Sequence, residues 1–344
     1  MTTFLGIDYP TWWFLVVGGL FSGYAILDGF DLGAGAWHLF LKKENSRRIA
    51  LNAIGPVWDG NEVWLVIGGG ALFAGFPVLY ATLFSAMYIP FMLFLAFLIF
   101  RAISIEFRSK EKMLWWRKLW DISYSVSSIM LAVLLGVVLG NVLQGMPLGP
   151  DLEFTGHWLQ FINFYAILTG ITTLALFMMH GAIYLTMKTE GRLFAKLTIL
   201  VRRATIFFVL MFTITTVYTL IYLPHLSDRF KETPALFIIP LLTFLSIANI
   251  PRLVSKKKYR YAFIFSSITV SLSLVLVAIE LYPQLLISTA DATNSLTIYN
   301  TAASDKSLGI MLTMATIGTP LVISYTTFVF WTFRGKVELD EMSY

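Results

Sequence analysis

The sequence predicts an all-α polytopic membrane protein with nine transmembrane helices, drawn as two four-helix bundles plus one peripheral helix. Three observations carry that reading. First, 57% of the 344 residues are apolar and only 13% are charged, with a mean hydropathy of +0.75. A soluble domain carries about 25% charged residues. Second, nine apolar stretches are of the length that a ~30 Å hydrocarbon core demands of a helix, ~20 residues. Third, basic residues collect in alternate connections.

In chain order the predicted spans are about 12–40, 50–74, 78–100, 119–143, 158–187, 203–223, 235–251, 260–282 and 309–333. The first and fifth are long enough to tilt or to run partly in the interface. The first connection holds Lys42, Lys43, Arg47 and Arg48, and the third holds Arg108, Lys110, Lys112, Arg117 and Lys118. The later connections on that side repeat the pattern, as do Arg334 and Lys336 in the tail. The other side carries Asp151, Glu153, Asp228, Glu232, Asp291 and Asp305. Basic loops stay on the cytoplasmic face, so the N-terminus is expected outside and the C-terminus inside. An odd number of spans is needed for this alternation.

Residues 1–344 read as one transmembrane domain, with short connections and no linker. The connection from about Pro283 to Leu308 is rich in Ser, Thr and Asn and reads first as a solvated loop, with a cap over a partner as the alternative. The net charge of +5 is spread over short loops and does not point to nucleic acid. With no cysteine, disulfides, thiolate iron–sulfur ligation, covalent c-type haem and catalytic thiols are excluded. No basic segment precedes the first apolar run, so no cleavable signal is expected, and the first helix directs insertion.

Against this apolar background, two polar knots stand out. Asp28 and Asp31 are spaced i, i+3 in the first span, and Asp59 and Glu62 repeat the spacing in the second. A carboxylate in hydrocarbon costs several kcal/mol unless paired, hydrated or protonated. At 1.5 Å per residue, Asp31 and Asp59 each lie ~14 Å from the basic ends of their spans, and Asp28 and Glu62 ~18 Å. The two pairs are thus expected side by side, as a proton relay or ion site, or as a packing network. Gly29, Gly33, Gly35, Gly55 and Gly60 would permit close helix approach. Arg101 is the expected buried counter-ion.

Glu106 and Lys110 form an i, i+4 pair at the basic end of the third span, either a surface ion pair or a proton entrance. His38, His157, His180 and His225 lack ligand spacing and read as interfacial groups. Trp58 and Trp64 flank the second acidic pair, where core packing or the lining of a small-molecule path would explain them. These residues alone leave open an ion-coupled transporter, a redox-complex subunit that carries protons, and a purely structural subunit. Crowding of acids into the first two spans favours the complex subunit.

The segments Asp28-Gly29-Phe30-Asp31-Leu32-Gly33, Gly55-Pro56-Val57-Trp58-Asp59-Gly60-Asn61-Glu62-Val63-Trp64-Leu65, Phe107-Arg108-Ser109-Lys110 and Gly181-Ala182-Ile183-Tyr184-Leu185 resemble subunit II of cytochrome bd quinol oxidases. The resemblance runs along nearly the whole chain. It implies a nine-helix subunit that ligates no haem and pairs with subunit I, which carries two b-type haems, haem d and the quinol-oxidising loop. Such a complex oxidises quinol and reduces O2 to water with cytoplasmic protons.

By the same resemblance, Asp59 belongs to a proton path towards subunit I, entered at Glu106 and Lys110. Glu106 stands where other members carry Asp. Asp28, Asp31, Trp58, Glu62 and Arg101 form a supporting polar cluster, and Trp64 borders an O2 path in some members. Some members also hold a structural quinone, and a small single-helix subunit can accompany the pair. His180 stands where some members have Gln and is read as a neutral polar substitute, with a local pH-sensitive group as the alternative. The expected location is a bacterial or archaeal cytoplasmic membrane, in contact with membrane lipid. The alternative is a stand-alone proton- or ion-coupled transporter.

Overall fold

Residues 3–339 are described by a computed structural model; residues 1–2 and 340–344 of the predicted 1–344 domain lie outside the described residues. A short hairpin, β1 (Thr3–Phe4) and β2 (Ile7–Asp8), leads into helix α1 (Tyr9–His38). Asp8 caps α1 by accepting the Thr11 amide at 2.9 Å, and Pro10 sits in the first turn, where no amide is needed. Amphipathic α2 (Glu44–Ile54) follows, then α3 (Trp58–Gly75), α4 (Pro77–Ala86), α5 (Tyr88–Phe107) and α6 (Leu114–Gln144). After an ordered connection come α7 (Phe164–Lys188), α8 (Gly191–Tyr222), α9 (Asp228–Glu232), α10 (Ile238–Ser255) and α11 (Tyr259–Leu281). Strands β3 (Gln284–Leu286) and β4 (Leu296–Thr297) precede α12 (Asp305–Thr332).

Among the described residues, eight helices are long and apolar enough to cross a membrane, and the bent pair α3–α4, folded by 119°, permits a ninth. The breaks fall at prolines. Pro56 has no amide to donate, and it separates α2 from α3. Phe76, ahead of Pro77, leaves the helical region at φ −131° and ψ 65°, as a residue before proline tends to. The predicted second span is therefore interrupted at residues 55–57, and the predicted third is α4 plus α5. The predicted fifth span starts late, because Asn163 caps α7 at the Ala166 amide.

Helix α1 is central: it packs on α3, α6, α7, α11 and α12. Its crossing with α7 needs glycine. A Cβ on Gly33 would lie 1.8 Å from the Phe177 carbonyl oxygen, and one on Gly181 2.5 Å from the Ala34 amide nitrogen. Both obstacles are backbone, so a side chain would have to part the helices. We expect Gly33→Ala to cost about 2 kcal/mol, the scale of core overpacking, read as a lower thermal midpoint. Gly318→Ala, where nothing lies within 4 Å, should leave the midpoint unchanged or raised.

The connection after α11 is not the solvated loop expected from its composition. Leu286, Leu296 and Ile298 are fully buried, and the Met146 amide bonds the Ile287 carbonyl at 2.9 Å. The Ala303 amide donates to Gly75 at 2.9 Å, which ties this cap to the end of α3. At the opposite end, where the basic connections gather, the tail returns to the fold. Lys336 donates to the Thr189 carbonyl at 2.8 Å, and the Val337 amide to Lys188 at 2.9 Å.

Candidate functional site: the carboxylates of the first helices

Asp28 and Asp31 lie on α1, which packs against α3 and α6, and both are fully buried. Arg101 of α5 is also fully buried and grips Asp28 as a fork, Nη2 to Oδ1 at 2.5 Å and Nη1 to Oδ2 at 3.0 Å. The same guanidinium lies 3.6 Å from Glu62 of α3. The predicted counter-ion is thus in place, and it joins three helices. Planar two-point bonding to carboxylate suits Arg rather than Lys.

Asp31 is held differently. Asn61 of α3 donates its amide to Oδ2 at 2.7 Å and also to the Leu27 carbonyl at 3.3 Å. The other oxygen, Oδ1, is buried without a hydrogen bond from protein. Asn61 therefore ties the two polar knots together. In the sequence it stood between Gly60 and Glu62 as part of a motif with no assigned task.

Asp59 lies in the first turn of α3, where unpaired helix amides favour negative charge. It is exposed on this chain, while its neighbour Trp58 is buried. Gly60 meets nothing within 4 Å, so it does not serve the internal packing expected of it. Glu62, half-buried, sits close enough to Asp59 for the two carboxylates to repel. Glu106 is half-buried in the last turn of α5, and Lys110 is exposed in the turn after it. The Asp28–Arg101 fork does not include Asp59, Glu106 or Lys110. Trp64 lies over Gly23 of α1, where an added Cβ would come within 2.4 Å of its ring.

A second charged network escaped the sequence reading. Asp121 of α6 is 1% exposed and receives three partners: His38 Nε2 at 2.5 Å, Arg108 Nε at 2.6 Å and Arg47 Nη1 at 2.9 Å. Glu44 takes Arg108 at 3.0 Å and Arg117 at 3.3 Å. His38 is fully buried, not interfacial, because Asp121 supplies the partner that lets its ring leave water. Arg108 is buried too, although its connection read as solvent-exposed. The available signal was the spacing Asp121, Tyr124, Ser125, Ser128, a polar stripe of i, i+3, i+4, i+7 in an apolar helix.

His180 is likewise fully buried, which overturns its interfacial reading. Nε2 lies 3.0 Å from the Ile26 carbonyl, which can only accept, and Nδ1 lies 2.7 Å from the Ser266 hydroxyl. The ring therefore donates from Nε2, while the Ser266 hydroxyl beside Nδ1 gives its own proton to the Phe263 carbonyl at 2.8 Å. Among the described residues, no group of three or more His, Asp or Glu is placed to hold a metal ion.

Comparison with known proteins places this arrangement in a family. The family model for cytochrome bd terminal oxidase subunit II matches residues 9–333. Subunit 2 of the cytochrome bd-I ubiquinol oxidase of Escherichia coli is 31% identical over 98% of each chain. Subunit 2 of the cytochrome bd ubiquinol oxidase of Bacillus subtilis is 34% identical over 96% of this chain and 97% of the other. A chain of the bd oxidase from Geobacillus thermodenitrificans shares the fold, with a TM-score of 0.80 at 18% identity, over 94% of this chain and 98% of that one. A multi-pass helical chain with this span of likeness belongs to the cytochrome bd terminal oxidase subunit II family, as a subunit of a quinol oxidase complex.

Proposed function

We propose that this chain supports a haem-bearing subunit I and delivers protons to it for the reduction of O2 to water, with Asp59 as the carrier. The observation that carries this is Asp59 itself, an exposed carboxylate at the head of an apolar helix. Facing lipid, that group would be costly, whereas facing a partner it can be received and exchange a proton. The same side of α3 exposes Val63, Val66, Ile67 and Phe73, with Gly60 and Gly70 open between them. Small residues of this kind let a second helix come close. Face and carboxylate together fit a docked subunit.

Within this reading Glu106 and Lys110 form the entrance. Their position beside the basic connections supports it, since those connections mark the cytoplasmic side, with the N-terminus outside. Asp28 with Arg101, Asp31 with Asn61, and the buried ring of Trp58 hold the first turn of α3 in register. Glu62 lies between that scaffold and Asp59. The ring of Trp64 borders the proposed O2 path and also packs on α1. The two b-type haems, haem d and the quinol-oxidising loop belong to subunit I. A structural quinone and a small single-helix subunit are further partners that the family resemblance implies.

The competing reading, a stand-alone ion-coupled transporter, separates cheaply. Purified from its native membrane by a tag on this chain, the protein should bring a haem-bearing partner and a haem d absorption band. A colourless preparation that transports ions by itself would overturn the proposal.

A further inference from the structure

Two polar stripes face each other between α1 and α6. On α1 the sequence Asp31, Gly35, His38 runs along one face, and on α6 the sequence Asp121, Tyr124, Ser125 does the same. They meet at three points. His38 Nε2 touches Asp121 at 2.5 Å, the His38 and Tyr124 rings pack edge to face at 5.0 Å, and Tyr124 lies over Gly35. The Gly35 contact is to the ring carbon that bears the hydroxyl, 3.1 Å from where a Cβ would stand. The Tyr124 hydroxyl thus sits between His38 and Asp31 along α1.

What singles out this column is its unpaired atoms. His38 Nδ1, the Tyr124 and Ser125 hydroxyls and Asp31 Oδ1 are all buried without a hydrogen bond from protein. Their residues are at most 2% exposed. Buried polar atoms rarely go without a partner, and where protein supplies none, water does. A row of four serves no packing purpose that an apolar row would not serve better.

The outer end of the column opens to solvent. Asp121 lines a cavity of about 310 Å³ with Leu39, Glu44, Arg47, Arg117 and Lys118. From His38 to Asp31 the rise along α1 is ~10 Å, about three or four hydrogen-bond steps of ~2.8 Å. The Tyr124 hydroxyl, over Gly35, stands part-way along that rise.

We propose that this column is a second proton route, a water-bridged wire from the Asp121 cavity through His38, Tyr124 and Ser125 to Asp31. It rests on the reading that the subunit delivers protons, but it enters by a mouth separate from Glu106 and Lys110. Imidazole takes a proton at one nitrogen and releases one from the other. His38 shows Nε2 to the Asp121 side and Nδ1 to the buried column. Asp121, held by Arg47 and Arg108, takes the proton from the cavity and passes it to Nε2 as Nδ1 releases its own to the column. At the inner end, Asn61 holds one oxygen of Asp31 and leaves the other for the incoming proton. From there Glu62 and Asp59 on α3 lie onward.

The test uses the purified oxidase complex, with haem content as the check of assembly. His38→Phe keeps a ring of similar shape and removes both nitrogens, while Tyr124→Phe removes one hydroxyl and no charge. We expect quinol-driven O2 consumption to fall about tenfold or more in His38→Phe and severalfold in Tyr124→Phe. The ratio of rates in H2O and D2O should rise in both, which a packing defect would not produce. Wild-type rates and isotope ratios in both variants, with haem intact, overturn the wire. Should His38→Phe not assemble, Tyr124→Phe decides by the same readings. Asp59→Asn separates the two ideas: slow Asp59→Asn with normal His38→Phe and Tyr124→Phe sinks the wire alone, and normal Asp59→Asn with slow His38→Phe and Tyr124→Phe sinks the Asp59 carrier and the onward leg through it while keeping the wire as far as Asp31.

Discussion

Asp59→Asn is expected to assemble with its full haem content and to turn over about 100-fold more slowly, the lower end of what a positioned acid–base group contributes. Asparagine has nearly the volume and shape of aspartate. It cannot take up a proton. The side chain is exposed on this chain and takes no part in the Asp28–Arg101 fork, so folding loses little. Asp59→Glu should restore part of the rate. Normal O2 consumption by an assembled Asp59→Asn complex would remove this residue from the proton path.

A second large effect is expected at Arg101. Its guanidinium and Asp28 are both 0% exposed. Arg101→Met would strand the Asp28 carboxylate and leave Glu62 without its neighbour. Removing one partner of a buried pair costs about 3–5 kcal/mol. That is a large part of the roughly 5–15 kcal/mol that holds a typical domain together. The expected result is a complex that is poorly recovered, or one whose thermal midpoint is sharply lowered. The double variant Arg101→Met, Asp28→Leu removes both charges and should recover most of the loss, since an apolar pair of similar volume is often as stable. If the double variant is no better than Arg101→Met alone, the stranded charge is not the cause. Asp28→Asn should be milder, because Glu62 remains 3.6 Å from the guanidinium.

Much of the site was legible in the residues. Carboxylates in apolar stretches are costly, so Asp28 and Asp31 had to find partners inside the protein, and Arg101, at the end of an apolar stretch, was a cation within reach. The i, i+3 spacing put each pair on one face. The glycines of α1 announced close packing, and Gly33 meets α7 at backbone distance. Other parts were not legible, for reasons that differ. The break at Pro56 turned a continuous span into α2 and α3, which moved Asp59 from the middle of a helix to its first turn. Gly60 has the residue type of a packing glycine, but it faces outward, and residue type alone does not say which way a helix is rotated.

The network at Asp121 shows the same limit. His38, Arg47, Glu44, Arg108 and Asp121 come from three separate stretches of chain, and each has a bland local reading as a loop or interfacial group. Only their meeting makes them buried. The cap of β3 and β4 is similar: its polar composition concealed three fully buried side chains, Leu286, Leu296 and Ile298, scattered among Ser, Thr and Asn.

The sequence by itself determined the membrane class, the run of spans, the family and the location of the first polar knots. Those properties follow from hydropathy, charge segregation and local motif, all of which act along the chain. The tertiary structure alone decided which carboxylate binds Arg101, which stays half-free beside Asn61, which faces outward, and that His38 completes a second buried site. Those outcomes depend on helix rotation and on contacts between distant segments. Spacing shows that residues share a face, but the face each helix turns inward is settled only when the helices pack.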